Sequence, residues 1–235
     1  MTDGAAGGRR AERRQPWCLV VPVKRLAVAK TRLAAYAGPH RRELALAFAA
    51  DTVAAALACP DVAAVVVVTD EPDAADRLGA AGAVVVGDEP DAGLNPALVH
   101  GATEAARLHR GCGVGALSAD LPALRPAELG RALAAAPDET ACFVRDADGS
   151  GTTLLLARRP DLFDPAFGPA SAAAHLRLGA RELDAERGGG DGLASLRRDV
   201  DTAEDLRAAR DMGLGPATEA VLQQLAASGD STAVG

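Results

Sequence analysis

The chain has 235 residues, 49% hydrophobic but only 3% aromatic, and a formal net charge of −7. That length suits one large domain with an aliphatic core. The acidic balance and scarce aromatics argue against stacking on exposed bases, bulk nucleic-acid binding and attachment to an anionic membrane. Residues 1–15 are rich in Gly, Ala and Arg and read as a disordered leader; no apolar stretch follows Arg13 and Arg14, so they are not a secretory signal. The folded domain is expected over 16–221, with a flexible tail over 222–235. Trp17 to Val23 is a continuous apolar run suited to a parallel strand covered on both faces. A basic loop, Lys24 to Lys30, leads towards a helix over about Arg41–Leu57. Val62–Thr69 is the second strand, Asp73–Leu78 a short helix and Ala83–Val86 the third strand. The loop Gly87–Asn95 then enters a helix over about Pro96–His109, with Pro96 suited to its first turn.

Gly113 to Leu117 is a fourth strand, ending in Ser118-Ala119-Asp120-Leu121-Pro122. Pro122 offers no backbone donor and stops strand pairing there. This alternation of strand and helix is the pattern of a doubly wound α/β sheet. The second half differs. Thr140–Arg145 and Thr152–Ala157 read as two strands joined by the turn 146–151, and Ser171 opens a helix through Ala180. Glu186–Gly192, with three consecutive glycines, reads as a mobile insertion. Arg197–Val200 is expected as a last strand, entering a helix over about Thr202–Arg210. No run approaches the roughly 20 apolar residues of a membrane span. Cys18, Cys59, Cys112 and Cys142 lack zinc-ligand spacing; Cys18, Cys112 and Cys142 lie in or beside apolar runs and read as buried free thiols, as in a reducing, cytoplasmic protein.

Asp120 stands where open α/β sheets bind their ligands, at the carboxyl end of a central strand. It lies too early to cap the helix expected near Pro126, and carboxylate oxygen suits Mg²⁺ accompanied by phosphates. Four cations, Lys24, Arg25, Lys30 and Arg32, fall within the nine residues after the first strand. They suit a triphosphate and a departing pyrophosphate, although an ordinary solvated face reads the same way. No Walker A or G-x-G-x-x-G run is present. Gly93 permits close backbone approach, and Asn95 offers a donor and an acceptor to a nucleotide; Asn95 equally suits the helix N-cap. Asp201 with Glu204 has the form of a capping box, which leaves Asp199 as a second metal carboxylate. Gly149–Thr153 and Phe167–His175 combine small residues and hydroxyls suited to binding an anion. His175 reads as a packing or hydrogen-bonding residue rather than a general base.

In this order, Pro22-Val23-Lys24 with Ala29–Leu33, Gly93-Leu94-Asn95, Ala119–Pro122, Gly151-Thr152-Thr153, Phe167-Gly168 with Ser171 and His175, and Asp199–Thr202 resemble one known family. It is the phosphoenolpyruvate (or 2-phospho-L-lactate) guanylyltransferases of coenzyme F-420 biosynthesis, and the resemblance covers roughly residues 17–215. It implies a nucleotidyltransferase fold: a glycosyltransferase-A-like, Rossmann-like three-layer α/β sandwich with a central mixed, mostly parallel sheet. It also implies GTP, Mg²⁺ and a phosphorylated three-carbon acid. Lys24 and Lys30 would assist at the triphosphate, Lys24, Arg32, Gly93 and Asn95 would hold the nucleotide, and Thr152, Gly168 and Ser171 would hold the acceptor. Asp120 and Asp199 would hold Mg²⁺. The Ala- and Arg-rich composition suggests a GC-rich actinobacterial source, where phosphoenolpyruvate is the expected acceptor. The alternatives are 2-phospho-L-lactate as acceptor, a molybdopterin or sugar-phosphate nucleotidyltransferase of the same fold, and a non-catalytic nucleotide-binding regulator. A homodimer is compatible with the chain.

Overall fold

The computed structural model describes residues 15–23, 33–89, 91–183 and 192–230. Lys24, Lys30 and Arg32, the leader over 1–14 and most of the glycine insertion lie outside the described residues. Four strands, β1 (Trp17–Pro22), β2 (Val62–Val68), β3 (Val84–Val86) and β4 (Gly113–Leu117), run parallel. Three more, β5 (Cys142–Arg145), β6 (Thr152–Ala157) and β7 (Arg181–Glu182), complete a seven-stranded sheet of order β3-β2-β1-β4-β6-β5-β7. β6 is antiparallel to both β4 and β5, and β7 is parallel to β5. The sheet is therefore mixed and mostly parallel.

The helices are α1 (Ala34–Ala37), α2 (Arg41–Leu57), α3 (Pro72–Ala80), α4 (Leu94–Leu108), α5 (Pro126–Ala135), α6 (Ser171–Arg177), α7 (Ala194–Arg197), α8 (Ala203–Met212) and α9 (Pro216–Asp230). They cover both sheet faces, because side chains alternate along each strand. Trp17, Leu19 and Val21 of β1 pack with Ala49 and Val53 of α2 and Leu129 and Leu133 of α5. Val20 of the same strand turns the other way, onto Ala97 and Leu98 of α4. Each fully buried Leu or Val contributes about 1.5–3 kcal/mol, so aliphatic side chains stabilise both interfaces without aromatic bulk.

Three expectations need correction. Arg197–Val200 is not a strand: α7 ends at Arg197 and 198–200 is irregular. The short edge strand β7 stands instead beside β5, where Glu182 takes the Arg145 guanidinium in a bidentate pair at 2.7 and 2.8 Å. The helix from Ser171 stops at Arg177, and Gly179 (φ +85°) turns the chain into β7. At the other end α9 carries on to Asp230 with Leu222 buried, so the helix runs well into the segment expected as a tail. Asp51 of α2 anchors that helix by accepting from Ala217 N (2.9 Å) and Thr218 N (2.8 Å). A carboxylate there also complements the helix dipole.

Candidate active site

The strand order reverses between β1 and β4: β2 and β3 lie to one side of β1, β4 to the other. Such a switch point, at the carboxyl ends of the strands, is the usual ligand position in open α/β sheets. Asp120 stands in the β4 loop. Ser118 N donates to Thr153 O at 2.8 Å and prolongs the β4–β6 pairing towards it. On the helix side, Leu121 N donates to Thr52 Oγ1 at 3.0 Å, while that hydroxyl donates to Phe48 O (2.8 Å) and lies 3.2 Å from Ala119 O. Thr52 thus grips the peptide units on either side of Asp120. Replacing it with Val leaves the Leu121 amide without an acceptor, at a cost of about 1–3 kcal/mol. A thermal melt of Thr52→Val should show a Tm lower by roughly 2–12 °C, with turnover reduced as Asp120 loses its support.

The second carboxylate arrives from far along the chain. Val200 N donates to Asp120 O at 3.0 Å, which sets the half-buried Asp199 beside the half-buried Asp120. Assigning Asp201 to the helix cap was wrong. The N-cap of α8 is Thr202, whose hydroxyl accepts from Asp205 N (3.2 Å) while Asp205 Oδ2 accepts from Thr202 N (2.9 Å). The reason is where the helix starts: α8 begins at Ala203, which makes Thr202 the cap and Asp205 the residue three positions on. Asp199 is therefore singled out by the Val200–Asp120 contact, not by elimination. Asp199, Asp201 and Asp120 all have partners in the folded chain. Among the described residues no group of three or more His, Cys, Asp or Glu side chains could hold a metal ion. Two carboxylates alone match Mg²⁺, which takes one or two from protein and the rest of its oxygens from substrate phosphate and water.

Asn95 also needs correction as a cap. Helix α4 begins at Leu94, with Gly93 (φ +113°) as its N-cap and no side-chain cap bond. The Asn95 amide instead spans to the loop before α6: Phe167 N donates to Oδ1 at 2.8 Å, and Nδ2 donates to Phe167 O at 3.0 Å. Both ends of the amide serve to join the Gly93–Asn95 segment to the Phe167–Ser171 segment. Gly168 follows with φ +136°, exposed and with open space where a Cβ would stand; Ala170 takes a left-handed φ of +55°. Ser171 N then donates to Gly168 O, and Ala172 N to Ser150 O, each at 3.1 Å. Gly149–Thr152 and Gly168–Ser171 are thereby brought together. Thr152 and Ser171 are both buried.

His175 is fully buried beneath these hydroxyls, with Thr152 Oγ1 3.0 Å from its Nδ1 and Ala166 N donating to its Nε2 at 3.0 Å. Burial pushes its pKa below the ordinary histidine value, opposed by the Asp164 carboxylate and the Ser171 carbonyl. The unfolded chain therefore binds this proton first as pH falls through about 6.5. Stability contributed by neutral His175 is present above that pH and lost below it, down to the lower folded-state pKa. Melts taken from about pH 7.5 to about 5.5 should show a falling Tm, with a shallower slope in His175→Asn. The four cysteines are free, and burial pushes Cys18 (with help from neighbouring Cys112) and Cys142 up to about 12, which makes them poor nucleophiles.

Sequence reasoning missed Thr52 and the Asn95–Phe167 link. Thr52 had a signal, the adjacent polar pair Asp51-Thr52 inside the apolar run Ala49 to Ala56. Asn95 had none, because its partner is a backbone unit 72 residues away.

The mixed, mostly parallel sheet covered on both faces by helices is the nucleotidyltransferase fold. A nucleotidyl transferase from Methanothermobacter has the same fold at TM-score 0.54 and 18% identity, over 85% of this chain and 98% of that one. The family model described as Guanylyl transferase CofC like matches residues 17–230, and the chain belongs to that family. It is an enzyme of the nucleotidyltransferase class. A protein named phosphoenolpyruvate guanylyltransferase from Thermomonospora curvata is 62% identical, over 90% of each chain. Proteins of the same name from Streptosporangium roseum and Streptomyces coelicolor are 54% and 53% identical, over 89% and 91% of this chain and 91% and 99% of theirs.

Proposed function

We propose that the chain transfers GMP from GTP to phosphoenolpyruvate and releases pyrophosphate, giving enolpyruvoyl-2-diphospho-5'-guanosine for coenzyme F-420 biosynthesis in the cytoplasm. The carrying observation is the 62% identity, over nine-tenths of both chains, to a phosphoenolpyruvate guanylyltransferase. The pairing of Asp120 and Asp199 at the switch point supports it. A phosphate oxygen of the acceptor attacks the α-phosphorus of GTP, and the bond from that phosphorus to the bridging oxygen of the β-phosphate breaks. The acceptor phosphate is already largely ionised at neutral pH, so no strong general base is required. Asp120 and Asp199 would hold Mg²⁺. Bound there, Mg²⁺ neutralises phosphate oxygens that would otherwise repel one another.

The remaining work is positioning and charge stabilisation, as in phosphoryl transfer generally. Lys24, Lys30 and Arg32 would face the triphosphate. Gly93 and Asn95 would receive the nucleotide through backbone groups at the start of α4, since the Asn95 side chain is committed to Phe167. Thr152, Gly168 and Ser171 would hold the acceptor's carboxylate and phosphate.

Pyrophosphate release with each nucleoside triphosphate, and with phosphoenolpyruvate or 2-phospho-L-lactate as acceptor, tests the reading. GTP with phosphoenolpyruvate should give the highest kcat/KM. A comparable value for ATP would remove the guanine assignment, and no release with any pair would leave only a binding protein. Two variants test the acceptor loop. Gly168→Val should raise the phosphoenolpyruvate KM strongly, because it fills the open approach and strains a positive φ. Ser171→Ala should raise it only about 2–13-fold, the value of one neutral hydrogen bond. Neither should move the GTP KM comparably; an effect on GTP alone would place the acceptor elsewhere.

A further inference from the structure

We propose that His175 is a positioning residue that fixes the Thr152 hydroxyl as a hydrogen-bond donor aimed at an anionic oxygen of the acceptor. The inference deepens the acceptor-pocket reading above and rests on it.

The argument is one of proton accounting. Ala166 N is a backbone donor, and its 3.0 Å contact with His175 Nε2 requires a lone pair on that nitrogen. A neutral imidazole carries a single N–H, which must then sit on Nδ1. Nδ1 is 3.0 Å from Thr152 Oγ1. Facing an N–H, the Thr152 oxygen accepts from His175 and its own hydroxyl proton must turn away. No other hydrogen bond of Thr152 Oγ1 is found among the described residues, so that buried proton has no acceptor among them. A buried donor left unspent is costly and needs a partner. Thr152 opens β6 next to the Asp120 loop, and Ala172 N to Ser150 O holds the Gly168–Ser171 loop against the turn that precedes it. An anionic acceptor oxygen in this space supplies the missing acceptor.

Two features keep the arrangement from relaxing. His175 lies between Phe143 and Phe167, with ring centroids 5.6 and 5.3 Å away, and turning the ring over would break the bonds at both nitrogens. Burial also favours the neutral form over the imidazolium; Asp164 is the carboxylate acting against it. An imidazolium would still donate from Nδ1 but would repel the Ala166 N–H, loosening the loop that carries Gly168.

The test has a spectroscopic and a kinetic arm on the full chain. Nitrogen-15 NMR of the ligand-free protein at neutral pH, with His175 assigned by comparison with His175→Asn, should show a neutral imidazole protonated on Nδ1. An Nε2–H tautomer or an imidazolium overturns the proposal whatever the enzymatic activity. In kinetics, His175→Gln keeps an acceptor near Nε2 but offers Thr152 no donor, whereas His175→Asn restores an N–H near Nδ1. The Gln variant should raise the phosphoenolpyruvate KM roughly tenfold with the GTP KM unchanged, and the Asn variant should recover most of that loss. In a Thr152→Val background the Gln substitution should add nothing further. Multiplying effects, or equal effects on both Michaelis constants, would show that His175 acts as packing and not through Thr152. Melts of each variant confirm that folded enzyme is compared. Wild-type protein inert towards both substrates would overturn the guanylyltransferase reading, while the tautomer would still decide the hydroxyl's direction.

Discussion

Asp120→Asn and Asp199→Asn are each expected to lower kcat on the order of 10²–10³-fold, the loss typical of removing one group that stabilises transition-state charge. Both changes keep side-chain volume and remove only charge. The scaffold around the pair consists of backbone and hydroxyl groups: Val200 N to Asp120 O, Leu121 N to Thr52 Oγ1 and Ser118 N to Thr153 O. The amide of Asn keeps the shape of the carboxylate and these bonds stay available, so melts of the variants should show folded, cooperative protein. The loss should appear in kcat, and raising Mg²⁺ should recover part of it if weakened metal affinity is the cause. Asp201→Asn is the control. Asp201 is exposed, and the capping role at α8 belongs to Thr202 and Asp205. Full activity in Asp199→Asn together with a large loss in Asp201→Asn would exchange the roles of these two residues. Full activity in Asp120→Asn would remove the metal site from this end of the sheet.

Gly101→Val should be the most destabilising single change among those considered. Gly101 lies in the middle of α4, where the helix presses onto β1 and β2. A Cβ added there would stand 2.5 Å from Val20 Cγ1 and 2.6 Å from Val68 Cγ2, closer than real Cβ contacts come. Both neighbours are β-branched, stiff at χ1 and embedded in the sheet, so neither can swing aside. The helix must move off the sheet instead. Overpacking of this kind costs about 1–3 kcal/mol and sometimes more, and for a domain of this size about 2–4 °C of Tm accompanies each kcal/mol. A fall of roughly 2–12 °C in a thermal melt is expected for Val, or more where the cost exceeds that range, with a smaller one for Ala. An unchanged Tm in Gly101→Val would mean that α4 is not seated on Val20 and Val68 as described. Because α4 also carries Gly93 and Asn95 at its start, the same displacement should raise the GTP KM.

Several of these elements were legible from residue order alone. The apolar runs at Trp17–Val23, Val62–Thr69 and Gly113–Leu117 suit strands covered on both faces, and β1, β2 and β4 appear within them. The pair Thr140–Arg145 and Thr152–Ala157 was legible because a Gly- and Asp-rich turn separates two short apolar stretches, and β5 and β6 pair antiparallel there. Asp120 was singled out by position, since a carboxylate between a buried strand and a proline has few structural duties, and its place after β4 was legible. Asp199 was reached by elimination, and the eliminating step failed: a capping box was read from Asp201 and Glu204 when Thr202 and Asp205 form it. Local spacing could not separate two overlapping boxes, because the choice depends on where α8 starts.

Residue order was thus enough for six of the seven strands, for the main helices between them and for the residue types at the strand ends, but not for β7. These are consequences of hydrophobic periodicity and backbone chemistry, which act over a few residues at a time. Only the tertiary structure decided which of those residues meet. The strand order that puts β4 beside β1, the Val200 amide on the Asp120 carbonyl, the Asn95 amide on the Phe167 backbone and the His175 ring on Thr152 all join segments far apart in the chain. Such contacts are selected by how whole elements pack, by the need to satisfy every buried donor and by chain closure over long loops. None of these leaves a mark on the spacing of neighbouring residues.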